Sequence, residues 1–184
     1  MKKWKIIKEA DVSPNKWFPV LQHTVELPNG KIIDDYFISP MGNGVIVLPL
    51  TTNNEIVLIK QYKHGVGEIT IELPAGGQQP GLTLEESAIA ELEEEAGIKT
   101  TVNNLIYLGK TTIIPSKTSH ISYYYLAKNL EFNSAQHLDA TEDIEIIKVA
   151  PKQVLEMIKN NEIWTADAVV TIIQAFLKYP EIFE

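Results

Sequence analysis

Two periodicities take turns along this chain, and their order predicts its architecture. Trp4 to Lys8 and Phe18 to Glu26 read as strands. Leu27-Pro28-Asn29-Gly30 reads as a hairpin turn, with Asn-Gly supplying positive φ values, and Lys31 to Ile38 returns. Met41-Gly42-Asn43-Gly44 breaks the pattern. Val45 to Leu50 and Glu55 to Gln61 then flank Thr51-Thr52-Asn53-Asn54 as a second hairpin. Their near-continuous apolar runs predict burial on both faces. Ile69 to Leu73 is a short strand leading into a Pro-Gly loop, and further strands are expected at Asn104 to Leu108, Thr111 to Ile114, Ile121 to Lys128 and Asp143 to Val149. A 3.6-residue period marks helices at about Thr83 to Ala96, Pro151 to Asn160 and Thr165 to Tyr179. The expected fold is α/β: a mixed sheet sandwiched between helices over 41–184, preceded by an antiparallel sheet over 1–40.

The first helix carries the chemistry. Leu84, Ala88, Leu92 and Ala96 make its apolar stripe, yet Glu91 and Glu95 flank Leu84 on the helical wheel instead of opposing it. Solvated glutamates sit opposite the stripe, as Glu86 and Glu93 do. Thr83 and Glu86 have capping-box spacing, and Gly97 is placed to end the helix. Glu91, Glu94 and Glu95 fall at i, i+3 and i+4, so three carboxylates share one face beside Pro74-Ala75-Gly76-Gly77. Unpaired, they repel. A divalent cation relieves that repulsion, and all-oxygen donors suit Mg²⁺ or Mn²⁺ better than zinc.

Composition narrows the partners. A net charge of −8 offers no basic patch for a nucleic-acid backbone. It does not exclude a phosphorylated small molecule, because bound cations supply positive charge locally. The absence of cysteine removes thiolate nucleophiles and zinc-thiolate sites. The start lacks the apolar run of a signal peptide, and no segment approaches 18 consecutive apolar residues, so a cytoplasmic protein without membrane or nucleic-acid partners is expected. His23, His64, His120 and His137 show no ligand spacing and read as surface or loop residues.

The segment from Gly76 to Ile98 resembles the Nudix box, G-x5-E-x7-R-E-U-x-E-E-x-G-U. Gly76, Glu91, Leu92, Glu94, Glu95, Gly97 and Ile98 match, while Leu82 and Ala90 stand where the box carries Glu and Arg. The run Val57 to Gly65 before Glu72-Leu73-Pro74-Ala75-Gly76, Pro115 seventeen residues beyond Ile98, and the stretch Glu142 to Ala168 are similar to the ADP-ribose pyrophosphatase branch. The resemblance implies hydrolysis of ADP-ribose, or a related nucleoside diphosphate sugar, to a nucleoside monophosphate and a sugar phosphate. It implies metal ligation by Glu91, Glu94, Glu95 and the Ala75 carbonyl, and substrate contacts from Lys63, Glu72, Gly76, Gly77 and Pro115. Lys63 stands where the branch has Arg, and meets a phosphate as a point charge, not a bidentate fork. Lys117 is a further candidate phosphate contact. A homodimer exchanging N-terminal sheets is also implied. Trp4, Trp17, Phe18, Tyr36 and Phe37 are material for that interface, for stacking on a base, or for the core of the sheet.

Three departures fall at the chemistry. In the family the box Arg holds a metal-binding Glu in position, and here Leu82 and Ala90 remove the first Glu and that Arg together; Glu85 or Glu86 could compensate. In the last acidic loop Ala140 replaces the first of a glutamate pair, leaving Glu142 or Asp139 as general base. Two other readings therefore accompany hydrolysis of an ADP-ribose-like nucleotide: a nucleotide-binding module with weak or absent catalysis, and a Nudix hydrolase for a different nucleoside diphosphate derivative.

Overall fold

The computed structural model describes residues 1–184. Internal packing divides the chain into two units, Met1–Asn43 with Thr111–Ile121, and Gly44–Lys110 with Ser122–Glu184.

The first unit is an antiparallel sheet of β1 (Lys5–Asp11), β2 (Leu21–Glu26) and β3 (Ile32–Ile38), in that order. The β2–β3 connection differs from the expected Asn-Gly turn. Only Gly30 has positive φ, at 82°, and the bonds Gly30 N–H to Leu27 O (2.9 Å) and Leu27 N–H to Lys31 O (2.8 Å) close a turn that ends in one left-handed residue. β2 begins at Leu21, not Phe18. The Asn15 side chain accepts from Trp17 N–H at 2.8 Å and curls the chain, and Pro14 and Pro19 lack the amide a ladder needs. His23 is not a surface residue: it is 6% exposed and lies opposite Glu9, with Nε2 to Oε2 at 3.0 Å. The apolar side chains of this sheet are largely outside. Trp4, Phe18 and Phe37 are exposed and Trp17 is 82% exposed, so none of the four is sheet core; Trp4 packs edge-on against Tyr36. No separate strand forms at Thr111 to Ile114: Thr111 ends the preceding strand, and the three residues after it are irregular. Ile114 turns left-handed (φ 55°) and its carbonyl accepts from Lys117 and Thr118, making a turn through Pro115 that is tied to β3 through Ser39.

The second unit holds a seven-stranded mixed sheet. Its strands are β4 (Gly44–Thr51), β5 (Ile56–Lys63), β6 (Glu68–Glu72), β7 (Ala75–Gly77), β8 (Leu105–Thr111), β9 (Ser122–Leu130) and β10 (Ile144–Val149), with the main path β10-β5-β4-β9-β8. β4 and β9 run parallel from Gly44↔Ser122 to Pro49↔Ala127. β4 and β5 pair only at Leu50↔Ile56 and then diverge. β6 lines the far end of β5, and β7 lines the start of β4 through Gly44↔Gly77, Val45↔Gly76 and Ile46↔Ala75. The expected Pro-Gly loop is thus a three-residue strand in the fork of the sheet.

Helices cover both faces: α1 (Leu84–Ala96) on one, α2 (Pro151–Lys159) and α3 (Ala166–Lys178) on the other. Alternation along β4 sorts the two cores. Val45 and Val47 pack with Ala88, Leu92 and Ala96 of α1; Ile46, Leu48 and Leu50 pack with Val154, Ala168 and Ile172 of α2 and α3. All eight residues of β4 are buried, as its apolar run predicts. No helix is long and apolar enough to cross a membrane.

Candidate active site

α1 is fixed at both ends before it presents any acid. At its start Thr83 accepts from the Glu86 amide (3.1 Å) while the Glu86 carboxylate accepts from the Thr83 amide (2.8 Å). At its end Gly97 adopts φ 64°, and its N–H donates to Glu93 O at 3.0 Å. The remaining carbonyls are taken by the chain that follows β9. His137 N–H donates to Glu94 O (2.8 Å), Gln136 Nε2 to Glu95 O (2.7 Å), and Ser134 N–H to Gly97 O (3.1 Å). Those contacts strap the segment leading to Asp139 and Glu142 against the helix end.

Along its length α1 meets the fork through two carboxylates. A Cβ on Gly76 would come within 2.2–2.3 Å of the Glu91 carboxyl atoms, so any larger residue there would displace that carboxyl from the place it now fills. One turn on, Glu95 is 4% exposed and its Oε2 accepts from the Ala75 amide at 2.8 Å. Burial raises both acids, Glu91 to about 7 with Glu94 adding repulsion, and Glu95 to about 8 with Glu91 adding to it. The lowering influences are weaker: a Gln79 hydrogen bond at Glu91, and the Ala75 amide and the Lys63 charge at Glu95. This is a pair of acids short of positive charge.

The other sequence-predicted residues divide around this pair. Glu94 is half-buried and its Oε1 faces Gln79 Nε2 at 3.4 Å. Glu142 and Asp139 approach closely enough to raise Glu91, and Glu142 raises Glu95 as well. The Glu142 carboxylate accepts from the Asp139 amide at 2.9 Å. Lys63 is not a lone surface lysine: its Nζ lies 3.3 Å from Glu72 Oε2, and Gln61 Nε2 approaches the same oxygen at 3.5 Å. Gly77 is exposed beside Gly44 in the ladder. Pro115 and Lys117 belong to the first unit, where Lys117 lies over the Tyr36 ring at 5.2 Å. Glu85 and Glu86 do not stand in for the missing box acid, since Glu85 accepts from Tyr125 OH at 3.1 Å and Glu86 completes the cap.

These donors fit a divalent cation in kind. They are hard carboxylate oxygens on a rigid helix, Glu95 buried and Glu91 half-buried in mutual repulsion, with no soft ligand nearby. No group of three acidic or histidine side chains is gathered tightly enough to hold an ion among them, so the preformed part of the site is the Glu91–Glu95 pair. Sequence reasoning missed Gln79 and Gln136. A glutamine in a polar loop has no periodic signal, and its partners are fixed only by the path of the chain.

Comparison with known proteins adds the family. Residues 4–39 match the nucleoside diphosphate sugar hydrolase N-terminal domain, and residues 40–170 match the NUDIX domain. An ADP-ribose pyrophosphatase of Bacillus subtilis (strain 168) is 28% identical over 169 residues, covering 91% of this chain and 90% of its own length. A methanol dehydrogenase activator of Bacillus methanolicus is 28% identical over 169 residues, again covering 91% and 90%. A crystal structure of an ADP compounds hydrolase shares the fold, with TM-score 0.86, 22% identity, and coverage of 98% of this chain and 96% of that one. The chain belongs to the Nudix hydrolase family, whose members generally depend on divalent metal ions.

Proposed function

We propose that this protein is a Mg²⁺- or Mn²⁺-dependent pyrophosphatase that cleaves ADP-ribose, or a related nucleoside diphosphate sugar, into a nucleoside monophosphate and a sugar phosphate. The observation that carries the reading is the Glu91 carboxyl seated in the space left by Gly76, with Glu95 buried against the Ala75 amide. The relative that acts on ADP-ribose and the matched N-terminal domain support the substrate class.

In this reading Glu91, Glu95, Glu94 and the Ala75 carbonyl would hold the ion, and when bound it would offset diphosphate charge and lower the pKa of a nearby water. Gly76 and Gly77 give the diphosphate a backbone without side chains to lie against. Lys63, kept in place by Glu72, meets a phosphate oxygen. Glu142 takes the proton as water oxygen attacks phosphorus and the bond to the bridging oxygen breaks. Residues 1–40 form a dimerisation sheet whose exposed Trp4, Trp17, Phe18 and Phe37 are covered by a second copy, and residues 41–184 form the hydrolase domain. The enzyme works in the cytoplasm.

A second reading, a nucleotide-binding module with weak turnover, is favoured by Leu82, Ala90 and Ala140 and by the Glu142 carboxylate being engaged with the Asp139 amide. One assay separates the two. Products from ADP-ribose and a panel of nucleoside diphosphate sugars are followed by chromatography with and without Mg²⁺, beside Glu95→Gln. Metal-dependent AMP release that falls about 10²–10⁴-fold in Glu95→Gln supports hydrolysis. Saturable ADP-ribose binding without products supports the module, and release unchanged by the substitution removes this assignment of the site. Turnover confined to another member of the panel reassigns the substrate.

A further inference from the structure

Four positions of α1 and the loop before it form a line that the chemistry above leaves unexplained. Ser87, Glu91 and Glu94 recur at i, i+4 and i+7, one stripe along the helix. Gln79 lies beside that stripe. Its backbone N–H donates to Ser87 Oγ at 3.0 Å, and that hydroxyl, fully buried, donates to Thr83 O at 2.8 Å. One turn further its side-chain amide faces Glu94 Oε1 at 3.4 Å and hydrogen-bonds Glu91. The neighbouring Gln78 amide ties the same loop to Leu82 O at 3.0 Å.

α1 carries no Lys, Arg or His, and the residue before Glu91 is Ala90. A neutral amide therefore faces the two glutamates where a cation would be the ordinary electrostatic partner. We propose that Gln79 is a positioning residue that holds Glu91 and Glu94 apart and aimed into the fork without cancelling their charge. The idea rests on the reading of these glutamates as ion-holding groups. A lysine in that place would compete with a divalent ion, and an apolar side chain would leave the carboxylates to spread. The backbone anchor on Ser87 makes the amide part of the same rigid body as the acids it restrains.

Mn²⁺ binding to the full chain, followed by titration calorimetry, tests this. The variants are Gln79→Met, which keeps length but not the donor, Gln79→Ala, Glu94→Gln, the Met/Gln double variant, and Glu95→Gln as the control for the site. Gln79→Met is expected to weaken Mn²⁺ binding about tenfold, with the melting temperature in chelator unchanged. Added to Glu94→Gln, it should weaken binding less than about threefold, because the partner is already altered. Gln79→Ala is read in the same way should Gln79→Met fail to fold. Unchanged affinity in both Gln79 variants, or the same tenfold loss in the Glu94→Gln background, overturns the role of Gln79. If Glu95→Gln also binds Mn²⁺ like the unaltered chain, the ion-holding reading itself falls and takes Gln79 with it.

Discussion

α1 and α3 are both thirteen residues long and lie buried on opposite faces of one sheet, yet their ends are held differently. α3 is apolar and buries Ala168, Thr171, Ile172 and Ala175. Its start is poorly served: Thr165, at the N-cap, makes no capping bond, and its Oγ1 is buried without a partner. α1 carries six glutamates, three of them at positions 93 to 95 in the last turn, where the helix dipole is already negative and no basic residue stands. Its ends are correspondingly elaborate, with a reciprocal cap at Thr83 and Glu86 and donors from Gly97, Gln136 and His137 on the last carbonyls. Burial fixes both helices through one face, Ala88, Leu92 and Ala96 in α1 and Ala168, Ile172 and Ala175 in α3. α1 adds a reciprocal side-chain cap at its start, and beside its apolar stripe it carries Glu91 and Glu95 to the fork.

The largest expected break in this comparison comes from pH. In the absence of metal, Glu91 and Glu95 hold their protons to about 7 and 8 when folded but release them near 4.5 when unfolded. The folded chain therefore binds more protons across that window, and stability falls as pH rises through it. Their contribution is intact below about pH 4.5 and gone above about 8, a loss on the order of 5 kcal/mol at one pKa unit per 1.4 kcal/mol, reduced for solvent screening of the partly exposed Glu91. Chemical denaturation in chelator from pH 5 to 9 measures it; saturating Mg²⁺ or Glu95→Gln should flatten the curve.

A smaller effect separates the faces. Ile172→Ala empties a fully buried position on α3 and should cost about 3 kcal/mol of stability, read as a lower denaturation midpoint. Mn²⁺ affinity should stay within about twofold, since no acid is touched. The smallest effect separates the ends, and its sign differs between the helices. Thr83→Ala should destabilise by about 1 kcal/mol through loss of the cap. Thr165→Val should stabilise by up to about 1 kcal/mol, because it deletes a buried hydroxyl that has no partner. Opposite shifts in melting temperature would bear out the contrast; two losses of equal size would erase it.

α1 and α3 were legible in the sequence because each repeats its pattern over more than three turns, and Thr83, Glu86 and Gly97 mark the ends of α1 in plain letters; the shorter α2 was marked by Pro151 in its first turn. The placement of Glu91 and Glu95 beside the apolar stripe also followed from the helical period. β7 was not legible: Ala75-Gly76-Gly77 has no alternation to read, and its pairing with Gly44 to Ile46 spans some thirty residues of chain. The Thr111 to Ile114 pattern suggested a strand, but a left-handed Ile114 before Pro115 turns the backbone away. The segment from Asn133 to His137 is polar and patternless, and its role appears only where it meets the exposed carbonyls of α1. His23 looked like a surface residue because no local signal reveals that Glu9 lies opposite it across the ladder.

The φ of Gly76 is not left-handed, and nothing in the strand demands flexibility there. The position is glycine because a neighbour's functional group occupies the volume of its absent methyl. A methyl group at this position would push aside only the far end of a flexible side chain, so Gly76→Ala should move the Glu91 carboxyl while leaving the pairing of the strand in place.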